Sequence, residues 1–384
     1  MRIGVLSDAI LPYHHGGKET LQHERAIRLA RRGHRVRIHT MHWWPEPEPE
    51  IERDGIVLHA IAPKVRMYTA GGRRSIWESV VLGVASLRLL WSAPFDILDV
   101  DQFPFTPFFA AVIACRLRRR PLTATWYEVW DRAYWRRYLG WLGPIGFWMQ
   151  RFGARHADLV FADSALTATR LTSWLGVDPG KVIVLSPGVT VDPAPDPAPP
   201  KVVDCIFVGR LLPHKHVDVL LQALATLPQA TGLIVGNGPE KQRLMALADH
   251  LGLGDRVRFE TADGHQAVQA SLRSSRLLVS PSTREGFGVA VLEAHACGVP
   301  ALVVRHEDNA SLELVTDGEN GLIAELDANA IARRIRTYLA DDLTQARMSR
   351  AARAGAVAYS WDAYVDRMEA SLESLTSTRL KRAA

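Results

Sequence analysis

Five prolines fall within eight residues, 193–200 (PAPDPAPP), and divide the 384-residue chain near its middle. Each proline fixes φ and removes an amide donor, so the run neither joins a sheet nor extends a helix; it reads as a semi-rigid linker. A chain of 384 residues also exceeds one typical core. We therefore expect a first domain at 1–190, a linker at 191–200, a second domain at 201–360 and a C-terminal helix with a basic tail at 361–384.

The same alternation runs on both sides of the prolines. Residues 2–7 (RIGVLS) predict a buried strand. A loop with His14, His15, Gly16 and Gly17 follows, then a helix from about Glu19 to Arg32 closed by Gly33, then a strand at 36–40. Further strands are expected at 56–61, 97–100, 159–162 and 182–185, with an exposed acidic loop at 45–50 and a helix at 76–91. The apolar stretch 103–117 is interrupted by Pro104 and Pro107 and is too short to span a bilayer, so a buried helix is expected. After the prolines, strands at 202–208, 232–235, 257–259, 277–279 and 301–304 alternate with helical stretches. The fold class that follows is α/β, with parallel sheets in both halves.

Composition narrows the function classes. Cys115, Cys205 and Cys297 lie far apart without metal-ligand spacing, which suits a reducing, cytoplasmic setting. The opening MRIGVLSD reads as a strand and lacks the features of a signal peptide. Residues 1–190 carry 25 Lys and Arg against 17 Asp and Glu, while 191–384 carry 21 against 24. The basic first half suits an acidic partner, and an ordinary solvated surface explains it equally well. Within it, residues 126–152 interleave five tryptophans and three tyrosines with Arg132, Arg136 and Arg137. Such a segment makes either an interfacial belt or a helical excursion packed on its own domain. The belt reading implies peripheral contact with an anionic membrane, at its inner face. No nucleic-acid-reading motif is present, so nucleic acid is not expected as a partner.

The most informative stretch is 280–300, SPSTREGFGVAVLEAHACGVP. Glu285, Gly286, Phe287 and Gly288 precede a helix-forming run that holds Glu293 among apolar residues. Glycines ahead of a helix let a ligand reach the first-turn amides, which favour negative charge. A carboxylate among apolar neighbours needs hydrogen-bond partners. The stretch reads as a receptor for phosphates and hydroxyls. Upstream, Gly209-Arg-Leu-Leu-Pro-His-Lys215 sits between a strand and a helix, where open α/β sheets bind ligands. Arg210 and Lys215 can neutralise a diphosphate, although the loop is not a Walker A motif. Glu285 and Glu293 are eight residues apart and do not share one helical face. They suit two hydroxyl receptors better than a hydrolytic dyad. His14, His15, His214 and His216 are expected to be structural or solvated.

In sum the chain resembles the retaining glycosyltransferases of family 4. The matching residues are Gly16-Gly17 with Glu19, Arg32-Gly33-His34, Gly209-Arg210 with Lys215, Gly236-Asn237-Gly238-Pro239, and Glu285-Gly-Phe-Gly with Glu293-Ala. The resemblance implies two Rossmann-like domains facing a cleft, the GT-B fold, with the C-terminal helix crossing back to the first domain. It implies a nucleotide-sugar donor with Arg210 and Lys215 on its diphosphate and Glu293 on the ribose hydroxyls. Glu285 with Gly286, Phe287, Gly288 and Val289 would hold the sugar, and Gly236 and Asn237 would line the donor site. Gly16 and Gly17 would bring the first loop to the diphosphate. The family needs no obligatory metal or cofactor. The acceptor would be a glycan, a lipid-linked group or a small molecule. Where the family usually carries a histidine at the end of a first-domain strand, this chain has Tyr127, which can hydrogen-bond a sugar hydroxyl but supplies no imidazole. Rival readings are a nucleotide-sugar epimerase or hydrolase of the same fold, and an inactive homologue.

Overall fold

The computed structural model describes residues 1–14, 16–67, 74–192, 200–262 and 264–383, and the side chains up to 377. His15 and the proline run at 193–199 lie outside the described residues, as do the side chains of the basic tail. The chain forms two compact units, Met1–Ser186 with Asp362–Ala384, and Pro187–Trp361.

The first unit is built on an eight-stranded sheet. Its strands are β1 (Arg2–Leu6), β2 (Arg35–Met41), β3 (Glu50–Arg53), β4 (Ile56–Ala62), β5 (Ile97–Asp101), β6 (Leu122–Trp126), β7 (Leu159–Ala162) and β8 (Val182–Val184). They lie in the order β3-β4-β2-β1-β5-β6-β7-β8. Every pairing is parallel except β3 with β4, where the chain folds back at the edge. β5 and β6 are buried along their whole length, as apolar runs covered on both faces must be. β3, with sequence EIER, is a charged edge strand that resists pairing with another chain. Sequence alone leaves β3 out, because Glu50 reads as the end of the acidic loop. The helix expected at 76–91 is α only over Ile76–Ala85 and continues as a 3₁₀ turn, Ser86–Leu90.

The C-terminal helix Trp361–Ala383 belongs, from Asp362 on, to this first unit. Tyr364, Val365, Met368 and Leu372 are its buried face, at the spacing of a helix stripe. Its charged side is held as well. Arg32 reaches Asp366 at 2.5 Å and Glu369 at 2.9 Å, and the His34 ring lies 2.6 Å from Glu369. The Arg-Gly-His motif before β2 thus serves as a dock for this helix.

The second unit carries β9 (Val203–Val208), β10 (Gly232–Val235), β11 (Val257–Glu260), β12 (Ser275–Ser280), β13 (Arg284–Glu285), β14 (Ala301–Val304), β15 (Asp308–Asn309) and β16 (Gly321–Ala324). Six of them form a parallel sheet in the order β11-β10-β9-β12-β14-β16. This is the doubly wound dinucleotide-binding order, which reverses between β9 and β12. Apolar side chains alternate between two cores: Phe207, Leu277 and Val279 pack on one face, Ile206 and Leu278 on the other. β16 has no counterpart in the sequence expectations. The unit begins at Pro187 because Val189 donates to the Tyr359 carbonyl at 2.7 Å and Gly188 lies directly against Trp361.

The aromatic segment divides in two. Trp126 and Trp135 are buried, and Gly146 lies flat on the Trp135 ring, where any Cβ would overlap it. Trp141 and Trp148 are 86% and 54% exposed. Packing and exposure, posed as alternatives by the sequence, are both realised. Among the described residues, no helix is long and apolar enough to cross a membrane.

Candidate active site

In the second unit, the loops after β9 and β12 leave the sheet at its switch point, at the carboxyl ends of the strands, which is where open α/β sheets bind ligands. Backbones come together closely here. A Cβ on Gly236 would overlap the Gly209 carbonyl oxygen, and one on Gly238 would overlap that of Leu211. Leu211 donates to the Asn237 carbonyl at 2.9 Å, so the loops after β9 and β10 form one surface. Asn237 itself is exposed, its side-chain oxygen accepting from the Gly238 amide at 2.8 Å.

Lys215 ends a short 3₁₀ turn, Pro213–Lys215, and its Nζ lies 2.6 Å from Glu285 Oε1. Each side chain keeps 16% of its surface exposed, so the pair is open on one side to water. Glu285 is not in a loop, as the sequence suggests, but in β13, which pairs with β15. The next turn is fixed by contact: Gly288 has φ +99°, and a Cβ there would come within 2.5 Å of Ser311 Cβ. Gly288 then precedes the helix Val289–Ala296, with the Phe287 side chain buried in the core. This leaves the backbone of 286–288, rather than the Phe287 ring, to meet a ligand.

Glu293 sits one turn into that helix, with Oε1 3.3 Å from His265 Nδ1. His265 went unnoticed in the sequence, where nothing marks it. Arg284 was also missed, although it shows itself through His214. Burial pushes the His214 pKa down to about 3, and the positive charges of Arg284, Lys215, His216 and Arg210 push in the same direction. His214 is therefore neutral, and it senses an electropositive site. His216 is structural: its Nε2 lies 3.2 Å from Thr283 Oγ1, and its backbone is left-handed at φ +46°.

In the first unit the expected residues are arranged differently. Asp99 and Asp101 alternate along β5 and so share one face. Arg25, from the helix Gly17–Arg31, reaches Asp99 at 2.7 Å and Asp101 at 3.2 Å. It also donates to Thr125 at 2.5 Å. Burial works against its charge, and Asp99, Tyr127 and Asp101 outweigh that and raise its pKa. Tyr127, just past β6, donates its hydroxyl to Asp101 at 2.8 Å, and burial raises its pKa well above the usual value. Its amide donates to Gln102 Oε1 at 2.7 Å. Tyr127 is thus anchored at both ends.

Gly16 is extended at φ −176°, and a Cβ there would overlap the Glu19 carboxylate, which folds back over it. Gly17 is exposed at the start of the helix. Lys18 and Arg74 pair with the buried Asp8. Among the described residues, no group of three or more His, Cys, Asp or Glu could hold a metal ion. The three cysteines are free thiols.

The two units have the fold of the GT-B class, and comparison with known proteins agrees. The description "Glycosyltransferase Family 4" matches residues 15–193, and "Glycosyl transferases group 1" matches residues 192–355. The chain belongs to glycosyltransferase family 4. A D-inositol 3-phosphate glycosyltransferase of Streptomyces avermitilis is 33% identical over 231 residues, covering 54% of this chain and 49% of the relative. The chain thus spans about half the length of that curated relative. A homologue of the same name from Mycolicibacterium smegmatis is 27% identical over 93% of this chain and 86% of its own. Among solved structures, a sucrose-phosphate synthase from Thermosynechococcus elongatus superposes with a TM-score of 0.81 at 20% identity, over 98% of this chain and 99% of that one. Anabaena HepE in complex with UDP-glucose gives 0.74 at 19% identity, over 97% and 100%.

Proposed function

We propose that this protein is a retaining glycosyltransferase that moves a hexosyl unit from a nucleoside-diphosphate sugar to an acceptor hydroxyl. The observation that carries the reading is the Lys215–Glu285 pair, 2.6 Å apart beside His214, which burial and then the neighbouring positive charges hold neutral. Lys215, Arg210 and Arg284 are the cations that meet the diphosphate. Charge grows on that group as the C1–O bond breaks, so fixed cations stabilise the transition state more than the bound donor. Glu285 then orients sugar hydroxyls, and the backbone from Gly286 through Val289 lies beside it. Glu293 takes the ribose diol, with Gly236 and Asn237 bordering the same donor site. In a same-face displacement the acceptor oxygen bonds to C1, the sugar–phosphate bond breaks, and the acceptor proton passes to the departing diphosphate. None of these steps calls on a metal ion.

The solved neighbour holding UDP-glucose favours a UDP-sugar donor, and the curated relatives named for inositol 3-phosphate favour a phosphorylated polyol acceptor. The acceptor falls to the first unit, where Tyr127, held by Asp101, keeps its place at the end of β6. Exposed tryptophans and arginines on that unit favour peripheral contact with an anionic membrane, at its cytoplasmic face.

A mass-spectrometric screen of the full chain against a panel of nucleotide sugars and polyol phosphates tests this reading. Sugar transfer with a retained anomeric configuration is the expected result. Conversion of a donor with no acceptor present would instead make the protein an epimerase or hydrolase.

A further inference from the structure

The helices Arg132–Leu139 and Gly143–His156 pack tightly, since a Cβ on Gly143 would lie 2.8 Å from the Arg136 backbone. Beside that contact is a cavity of about 210 Å³. Arg132, Arg136 and Arg151 line it on one side, and Pro144, Phe147 and Trp148 form an apolar wall on the other. No carboxylate lines it, and none of the three arginines has a carboxylate partner among the described residues. The Arg132 guanidinium instead lies over the Phe147 ring, 4.8 Å from its centre.

The arrangement works against itself unless an anion completes it. Arg132 and Arg136 are one turn apart on one helix, where like charges repel. Arg132 is also the first residue of that helix, where the backbone dipole disfavours a cation. Guanidinium forks match the oxygens of a phosphate. The cavity exceeds the room one or two waters need, about 10–15 Å³ each, and half of its wall is apolar. The phosphate it suits is therefore one attached to an apolar body. Ile145 and Trp148 on the second helix, and Trp141 in the turn between the two, are each more than half exposed. Tryptophan is the side chain that settles at a membrane's headgroup level.

We propose that this pocket binds the phosphate of an anionic phospholipid, with Trp141 and Trp148 seated in the headgroup region. The proposal rests on the reading that the first unit meets an anionic membrane, and it names the site that does so. The test is sedimentation of the full chain with phosphatidylcholine vesicles, with and without phosphatidic acid. Two triple variants are compared: R132Q/R136Q/R151Q in the pocket, and R116Q/R119Q/R155Q at exposed arginines outside it. Each removes the same charge. The pocket variant is expected to lose binding by on the order of 100-fold, and the control by less than about threefold. Equal losses overturn the pocket and leave membrane contact standing. A wild-type protein that ignores the vesicles overturns both.

A second arm separates the sources of phosphate. Soluble short-chain phosphatidic acid is expected to move the Trp148 indole NMR signal in wild type and not in the pocket variant. A response to inorganic phosphate with none to the lipid overturns the lipid assignment. If the triple variant fails to melt like wild type, Arg151→Gln alone is expected to weaken vesicle binding about fivefold.

Discussion

The two units treat their charged clusters in opposite ways. Around Arg25, 1% exposed, the groups are buried and hydrogen-bonded to one another: Asp99 and Asp101 share the guanidinium, and Thr123, Thr125, Gln22 and Tyr127 donate to the two carboxylates. Around Lys215 the ion pair is partly open to water, further positive charges act on the adjacent His214, and glycines clear the approach. A cluster that closes on itself holds elements in place; one left accessible has room for a ligand. Both stand at carboxyl ends of parallel strands, so position in the fold does not distinguish them. The balance of charge and exposure does.

That contrast can be broken by substitution. Arg25→Met strands two buried carboxylates and is expected to cost about 3–5 kcal/mol of first-unit stability. Tryptophan fluorescence during urea denaturation reports this directly, because ten of the eleven tryptophans precede residue 186. A loss below about 1 kcal/mol would mean the cluster is not closed. Tyr127→Phe removes one charge-assisted hydrogen bond, with an expected cost of about 1.5–3 kcal/mol in the same assay. If it instead leaves stability unchanged and abolishes transfer, Tyr127 acts on substrate and not through Asp101.

Gly236→Ala forces apart the loops after β9 and β10. It is expected to cost about 1–3 kcal/mol, seen as a lower melting temperature of the second unit, and to weaken donor binding in calorimetric titration.

The smallest effect concerns pH. The folded pKa of His214, about 3, lies below the ordinary 6.5. Between those values the unfolded chain binds a proton that the folded one does not. Its contribution is fully present above pH 6.5 and is lost as pH falls toward 3, by at most about 1.4 kcal/mol per pH unit. His295, lowered to about 4 by burial, adds to the slope in the same unit. His214→Gln is expected to flatten the fall in second-unit stability between pH 6.5 and 5, without removing it.

How far the sequence reveals this contrast depends on the range of each interaction. The second sheet and its loops are readable because short apolar runs ending in Gly209, Gly236 and Gly286 carry local information. The Lys215–Glu285 pair joins residues 70 apart, and spacing alone could not join them. Arg284 and His265 look like ordinary surface residues until the fold turns them toward the site. In the first unit a signal went unused. Asp99, in the strand expected at 97–100, and Asp101 just past it alternate with apolar residues, which places two carboxylates on one face of the sheet and calls for a cation there. Arg25 supplies it from a helix that, read alone, presents it as one more solvated arginine. The tryptophan-rich segment resisted because the same composition serves a core at Trp126 and Trp135 and a surface at Trp141 and Trp148.

The most direct test of the account is the rate of sugar transfer by Lys215→Ala, measured beside its melting curve. Loss of a cation that meets developing charge is predicted to lower turnover by about 10²–10³-fold. Loss of a part-exposed ion pair is predicted to change stability by less than about 1 kcal/mol. Turnover within a few-fold of wild type, or a melting loss as large as that of Arg25→Met, would contradict it.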